Sequence, residues 1–415
     1  MPAPLKLFGQ NGEQSGPLKE YDVEYCPFFP KGTRAITDFA MQDTKVELAE
    51  TVYSGSQKTF EIDRDGTVLS DLTLCFEAPA LTDLVVGGTY KRYGDFTGLC
   101  FLSRTTPIEI NYATSNVIRI SPDDIFSDYF FQTDEHKEES EYLMGGKLTE
   151  AERNTKATEV QEYRIPLPVP WRNCGEELPI SALASKLKIR VTFAAAKEFI
   201  QTDGVKPDKI AFTNVYLRAQ VGHVNGEIRE QLNSLTYRED GRYTLFEETL
   251  RIEQPIPANA MNVGAGLGFT VDLKDFVGPM THITGFFRID TDIAFDAENP
   301  KYYELDTSIL NDLTFQVRSG TDKILFEPCR TNFEQVEHLK RMYPCSPNIE
   351  QLYVWFDKYP AEPNVASGHI ELNNFNSTRL YLKKLLPHPA VTLVLIGRKW
   401  NWTNIKNGNY VKLWQ

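Results

Sequence analysis

From residue 58 to residue 396 the chain consists mostly of short runs that alternate apolar and polar side chains, broken by Gly, Pro, Asn and Asp. A period of two puts every second side chain on one face of a strand, so each run covers one face of a sheet. Such runs fall at 109–112, 116–120, 162–167, 188–193 and 211–221. They resume at 268–273, 283–289, 313–317, 323–326, 353–356, 370–372, 380–383 and 391–396. Aromatic residues make up 12% of the chain, with 25 Phe and 19 Tyr, and they pack well on a pleated surface. Many short strands with turn residues between them predict β-sandwiches or jelly rolls.

With 415 residues the chain exceeds one ordinary domain, and two cores of roughly 150–200 residues each are expected. No residue-level internal repeat is found, so the doubling follows from size. The expected division is an N-terminal arm over 1–35, a first roll over 36–224, a polar connecting segment over 225–254 and a second roll over 255–415. The formal charge of -13, from 57 acids and 44 bases, disfavours direct contact with phosphate backbones. No window approaches the roughly 20 apolar residues that span a bilayer, and the first residues lack a signal-peptide core, so a soluble protein made inside cells is expected. The six cysteines are scattered without a Cys-x-x-Cys pair and read as reduced, mostly buried thiols.

Local signals add detail. Arg64-Asp65-Gly66 between two alternating runs predicts a hairpin, since Gly tolerates the positive φ of a tight turn. Ser319-Gly320 predicts another. Residues 133–155, with an acidic cluster at 134–141 and Gly145-Gly146, show no apolar period and read as a long exposed loop with at most a short helix. A helix is expected over 333–342, capped by Asn332, with Gln335 as the reciprocal capping-box residue and Pro344 closing it.

No constellation for catalysis emerges. The histidines at 136, 223, 282, 338, 369 and 388 show no metal-ligand spacing, and His338 with Glu334 reads as an exposed helical pair. Gly264 to Gly268 leads into a strand, whereas dipolar phosphate binding needs a helix there. The cluster at 134–141 lacks the glycine and terminal Glu of a calcium loop. The sequons at Asn376 and Asn401 are expected to go unused, and Trp400, Trp402, Tyr410 and Trp414 read as core or interface. No catalytic, metal-ligating or cofactor-binding residue is nominated, and no cofactor is expected.

Several phrases, in order along the chain, resemble one family. The opening through Arg64, Asp65, Gly66 and Asp71 is similar to the first strand and turn of the double jelly-roll major capsid proteins of nucleocytoplasmic large DNA viruses, the iridovirus- and phycodnavirus-like group and its relatives. Pro166 and Trp171, then Pro179, resemble the passage before a core strand of the first roll. Ser367, Gly368, Leu372 and Leu380 match a stretch of the second roll in spacing, with Ile370 and Leu372 on one strand face. Gly408 resembles the closing phrase. Glu371 and Asn374 stand where the family usually has Asn and Arg, and Thr67 where Asp is common.

The resemblance implies an all-β double jelly roll with a few short helices in loops. It further implies a structural role without enzymatic activity. Three chains would form a pseudo-hexagonal homotrimer that builds an icosahedral virion shell. The implied partners are neighbouring capsomers, minor capsid proteins and an internal membrane or its proteins, with no direct nucleic acid. The implied location is the virion capsid, assembled in the host cytoplasm. The alternative is a viral minor capsid or attachment β-sandwich protein that binds a receptor or glycan.

Overall fold

The computed structural model describes residues 18–22, 31–35, 39–113, 115–171, 177–224, 226–237, 241–262, 268–294, 297–320, 323–330, 334–338, 350–356, 368–375 and 377–413. Of the expected N-terminal arm, the described part is an antiparallel pair, β1 (Leu18–Asp22) and β2 (Lys31–Ala35). The first half continues with β3 (Phe39–Glu47), β4 (Val52–Tyr53), β5 (Gln57–Ile62), β6 (Val68–Ala78), β7 (Lys91–Tyr93), α1 (Thr97–Cys100), β8 (Ile108–Tyr112) and β9 (Ser115–Ile120). Three helices follow, α2 (Pro122–Tyr129), α3 (Asp134–Met144) and α4 (Glu150–Lys156). Then come β10 (Gln161–Pro166), β11 (Leu187–Thr192), α5 (Ala196–Phe199), β12 (Ile200–Thr202) and β13 (Ala211–Val224).

Helix α6 (Gly226–Thr236) leads to the second half. It holds β14 (Arg242–Ile256), β15 (Phe269–Asp272), β16 (Pro279–Ile289), β17 (Leu313–Ser319), β18 (Lys323–Arg330), β19 (Leu352–Trp355), β20 (Ile370–Glu371), β21 (Thr378–Lys384), β22 (Val391–Lys406) and β23 (Asn409–Lys412).

Each half is a sandwich of two antiparallel four-strand layers. In the first, β10-β6-β13-β3 faces β5-β11-β8-β9; in the second, β14-β22-β16-β19 faces β15-β21-β17-β18. When the eight principal strands of each half are counted in chain order, both halves give the same two layers, 1-8-3-6 and 2-7-4-5. The repeat absent from the residues is present in the topology. The alternating pattern explains why: Leu72, Leu74, Phe76, Leu217 and Ile189 need only be apolar and inward, and all are buried.

Several local expectations change. Arg64-Asp65-Gly66 does not close a hairpin, because β5 and β6 lie in different layers and the turn carries the chain across the sandwich. Gly66 is not needed there for a positive φ: a Cβ on it would lie 1.7 Å from Val221 Cγ1, so the residue permits close approach to β13. Ser319-Gly320 does join paired strands, with Gly320 at φ +61.

The loop expected at 133–155 is largely helical. Thr133 caps α3 and Gly145 ends it at φ 71, where a Cβ would meet Tyr163 Cε1 at 2.8 Å. Thr149 and Glu152 form a capping box on α4. Residues 242–254, read as part of a polar connection, are strand β14 and pair with β22 along their whole length.

The expected strand at 370–372 is only the two-residue β20, after which Leu372–Asn374 turn as a 3-10 helix, and Ile370 is half-buried. The helix expected over 333–342 is described only at 334–338; Asn332, Phe333 and Pro344 lie outside the described residues. The capping-box pairing of Gln335 with Asn332 therefore also lies outside the described residues. Gln335 itself is buried, donates to Gln351 O at 2.6 Å and accepts from Tyr353 N–H at 3.0 Å. Cys75, Cys100 and Cys329 are free and buried, while Cys26, Cys174 and Cys345 lie outside the described residues.

Candidate functional site

The residues nominated from sequence do not converge on one place. Asp65 and Gly66 sit in the crossover, and Asp71 is on β6, where Oδ1 accepts from Leu72 N–H at 2.8 Å. Pro166 ends β10 opposite Thr73. Trp171 is buried, and Pro179 precedes the turn Ile180–Ala182. Ser367 lies outside the described residues, and Gly368 is in the loop before β20. Leu372 and Leu380 are buried in the second core. Gly408, in the turn between β22 and β23 at φ +77, reaches the first sandwich: its carbonyl accepts from Ala184 N–H at 2.8 Å and from the Tyr112 hydroxyl. A Cβ there would lie 3.0 Å from Ala184 Cβ.

Among the described residues no group of three or more His, Cys, Asp and Glu is placed to hold a metal ion. His338 is not paired with Glu334. It stacks on Trp355 with centroids 3.7 Å apart, and Glu334 instead takes Arg330. Asn401 of the second sequon is fully buried and donates to Glu248 at 2.7 Å, and Trp400 and Tyr410 are buried, so these residues form no open aromatic platform.

The site that organises the molecule is the seam between the sandwiches, and it centres on α2. Ser121 starts the helix: its hydroxyl accepts from Asp123 N–H, Asp124 returns a bond to Ser121 N–H at 2.8 Å, and Pro122 sits at the first turn. Seven of the eight helical residues are buried. The helix belongs to the first half but lies on the outer face of β14, β22 and β16 of the second.

Phe126 meets Phe286 at 5.5 Å and Tyr303 at 4.8 Å from one side, and Phe96 and Phe130 from the other. Phe286, Val394 and Ile396 therefore join the first sandwich's core rather than that of their own half.

Three acids of α2 face arginines of the second half. Asp123, fully buried, takes Arg288 Nη2 at 2.5 Å, Arg251 Nη2 at 2.6 Å and the Tyr303 hydroxyl at 3.2 Å. Burial alone would raise this carboxyl, but Arg288 and Arg251 outweigh it and hold it down to about 2. Asp128 pairs with Arg398, and Ser127 with Thr284 at 2.8 Å. The sequence reading missed this motif. Ser121-Pro122-Asp123-Asp124 was its available signal, a capped helix start.

Asp124 differs. Its Oδ2 accepts from Ser121 N–H and from the Thr249 hydroxyl at 2.9 Å, and burial pushes the carboxyl up to about 6 against the pull of Arg398. The folded protein thus holds this proton more tightly than the unfolded chain. Stability from the group is complete below about pH 4 and lost as pH rises through about 6. Asparagine mimics the protonated acid without that loss. The melting temperature of Asp124→Asn relative to wild type is expected to climb as pH goes from about 5 to about 8, a difference worth up to about 3 kcal/mol. Melting curves across that range check it, and a flat difference contradicts it.

At the loop end of the molecule the two halves are tied again. Gln201 donates to Pro300 O and Glu304, Arg153 pairs with Glu304, and Tyr90 reaches Glu298 and Asn299.

No protein-family model matches the sequence, and no curated protein matches it. Solved structures do. VP54 of PBCV-1, from a crystal structure fitted into a reconstruction of the virophage Sputnik, superposes with a TM-score of 0.70 over 94% of this chain and 100% of that one, at 13% identity. This chain folds as a double jelly roll.

A quasi-atomic model of the PBCV-1 virus capsid matches equally, with a TM-score of 0.70 and 12% identity over 94% of this chain and 100% of that one. The Faustovirus major capsid protein matches with 0.66 and 11% over 90% and 92%. The double jelly-roll neighbours are thus major capsid proteins of viruses, and the two sandwiches of this chain are its two rolls.

Proposed function

We propose that the chain is a structural subunit of a viral capsid, a major capsid protein whose trimers form pseudo-hexagonal capsomers of an icosahedral shell. The observation that carries this reading is the doubled topology: one strand order used twice, with the two rolls fixed side by side by a buried seam. Two wedges per chain make six in a trimer. The division into rolls falls at residues 225–241, around α6, with the N-terminal arm preceding β3.

Superposition on capsid proteins over nine-tenths of the chain supports the same role. The rolls act as scaffold and the loops as variable surface, since sheet cores hold register while loops differ freely. The proposed partners are further capsomers and minor capsid proteins in the virion, and no catalysis is assigned to the chain.

Native mass spectrometry of the purified protein is expected to give three times the 47.3 kDa chain, and negative-stain images should show pseudo-hexagonal particles. A stable monomer under every condition tried would sink the proposal.

A further inference from the structure

Four polar side chains meet where β14, β22 and β23 run side by side. β22 lies between the other two, with Glu248 opposite Lys399 and Lys412 opposite Thr403. Lys399, Asn401 and Thr403 alternate onto one face of β22, so Glu248, Asn401 and Lys412 come together on that face from three neighbouring strands.

Asn401 is fully buried, and Lys399 is 5% exposed. The Asn401 amide is held at both ends. Its Nδ2 donates to Glu248 Oε2 at 2.7 Å, and its Oδ1 accepts from Trp402 N–H at 2.7 Å. Two lysines share the same carboxylate, Lys399 through Oε2 at 3.3 Å and Lys412 through Oε1. To reach Glu248 from β23, the Lys412 side chain passes over β22, the strand that carries Asn401.

We propose that Lys412 and Asn401 join in an intramolecular isopeptide bond, with Glu248 carrying the proton. Lys412 Nζ, as the free amine, adds to Asn401 Cγ and a C–N bond forms. Glu248 takes the proton that the attacking nitrogen sheds and delivers it to Nδ2. The Cγ–Nδ2 bond then breaks and ammonia leaves. An amine and an amide become a substituted amide and ammonia, so no oxidant, metal or activated group is needed.

Each contact serves one step. One carboxylate balances one ammonium, so Lys399 keeps Glu248 paired while the Lys412 amine reacts. An amine held away from water among packed strands is a nucleophile. The Trp402 N–H draws electron density from the amide carbonyl and supports the negative oxygen of the tetrahedral adduct. Glu248 touches both nitrogens, as a proton carrier must. A bond to Lys399, two residues from Asn401 on the same strand, would fasten no second strand. The bond to Lys412 fastens β23 to β22, and with it the Gly408 turn that docks on Ala184 and Tyr112 of the first roll.

The test is intact-mass and tryptic-peptide mass spectrometry of the folded full chain. Wild type is expected to be one ammonia lighter than its sequence with the same termini. Trypsin should release a branched peptide in which 400–406 is joined to 407–415, uncleaved after Lys412. Lys412→Arg, which keeps a cation on Glu248, should show the full mass, separate peptides and a lower urea midpoint, because the unlinked chain gains more freedom on unfolding. Glu248→Ala should also show the full mass. Should it misfold, the wild-type mass and the branched peptide decide by themselves. Full sequence mass in folded wild type overturns the proposal. So does a bond that maps to Lys399, or an ammonia lost elsewhere, such as in a succinimide at Asn407, which leaves the two peptides unjoined.

Discussion

Replacing Asp123 with alanine is expected to cost about 3–5 kcal/mol of unfolding free energy, read as a fall in the urea midpoint. The cost comes less from the lost bonds than from what remains. Arg288, only 3% exposed, donates to Asp123 and to Tyr302 O and sits among Phe286, Tyr302 and Tyr303. Without Asp123 the nearest carboxylate among the described residues is Glu253, at 3.9 Å.

A buried cation stripped of its counter-ion carries its full desolvation cost, whereas removing both charges costs less. Asp123→Ala combined with Arg288→Met should therefore be more stable than Asp123→Ala alone, and the double-mutant cycle should report strong coupling. A single variant that loses less than about 1 kcal/mol would falsify the claim that this pair is buried and mutually dependent.

Phe126→Ala is expected to cost a comparable amount, about 3–5 kcal/mol, because a fully buried ring is deleted where relaxation from either side is limited. Four aromatic rings, two from each half, contact it. None of these contacts depends on charge, so the loss should be nearly the same at low and high salt. A change well under 1 kcal/mol would mean that this ring packing contributes little to holding the rolls together, and one that vanishes in salt would mean that the loss is electrostatic.

The strands were legible because a sheet with one face covered writes a period of two into the sequence, as 188–193 shows. The layer to which a strand belongs was not, since Asp65-Gly66 serves a crossover as readily as a hairpin. Helix α3 escaped because only Ser140 and Met144 are buried along it, leaving no apolar stripe to read, although the caps at Thr133 and Thr149 were present. The seam was illegible for a different reason. Asp123 and Arg288 are 165 positions apart and Asp128 and Arg398 are 270 apart, and no local pattern marks a pair that only the docking of two rolls brings together. The nominated motif residues that are described proved to be packing and turn positions, and Gly408 among them hydrogen-bonds across the two halves.

The position of α2 also bears on synthesis. Every strand of the first roll, and the helix itself, lies before residue 225, while its acceptor face is complete only once Arg398 has been made. On the ribosome the first roll can close while Phe126 and three aspartates still wait for partners 125 to 270 residues downstream, a distance corresponding to roughly six to fifty seconds of elongation. During that interval the nascent chain presents an apolar, acidic ridge that belongs to a roll not yet made. A pause in the second half would prolong that exposure, and a premature stop would leave the ridge permanently bare, as a ready point for mispairing between neighbouring nascent chains.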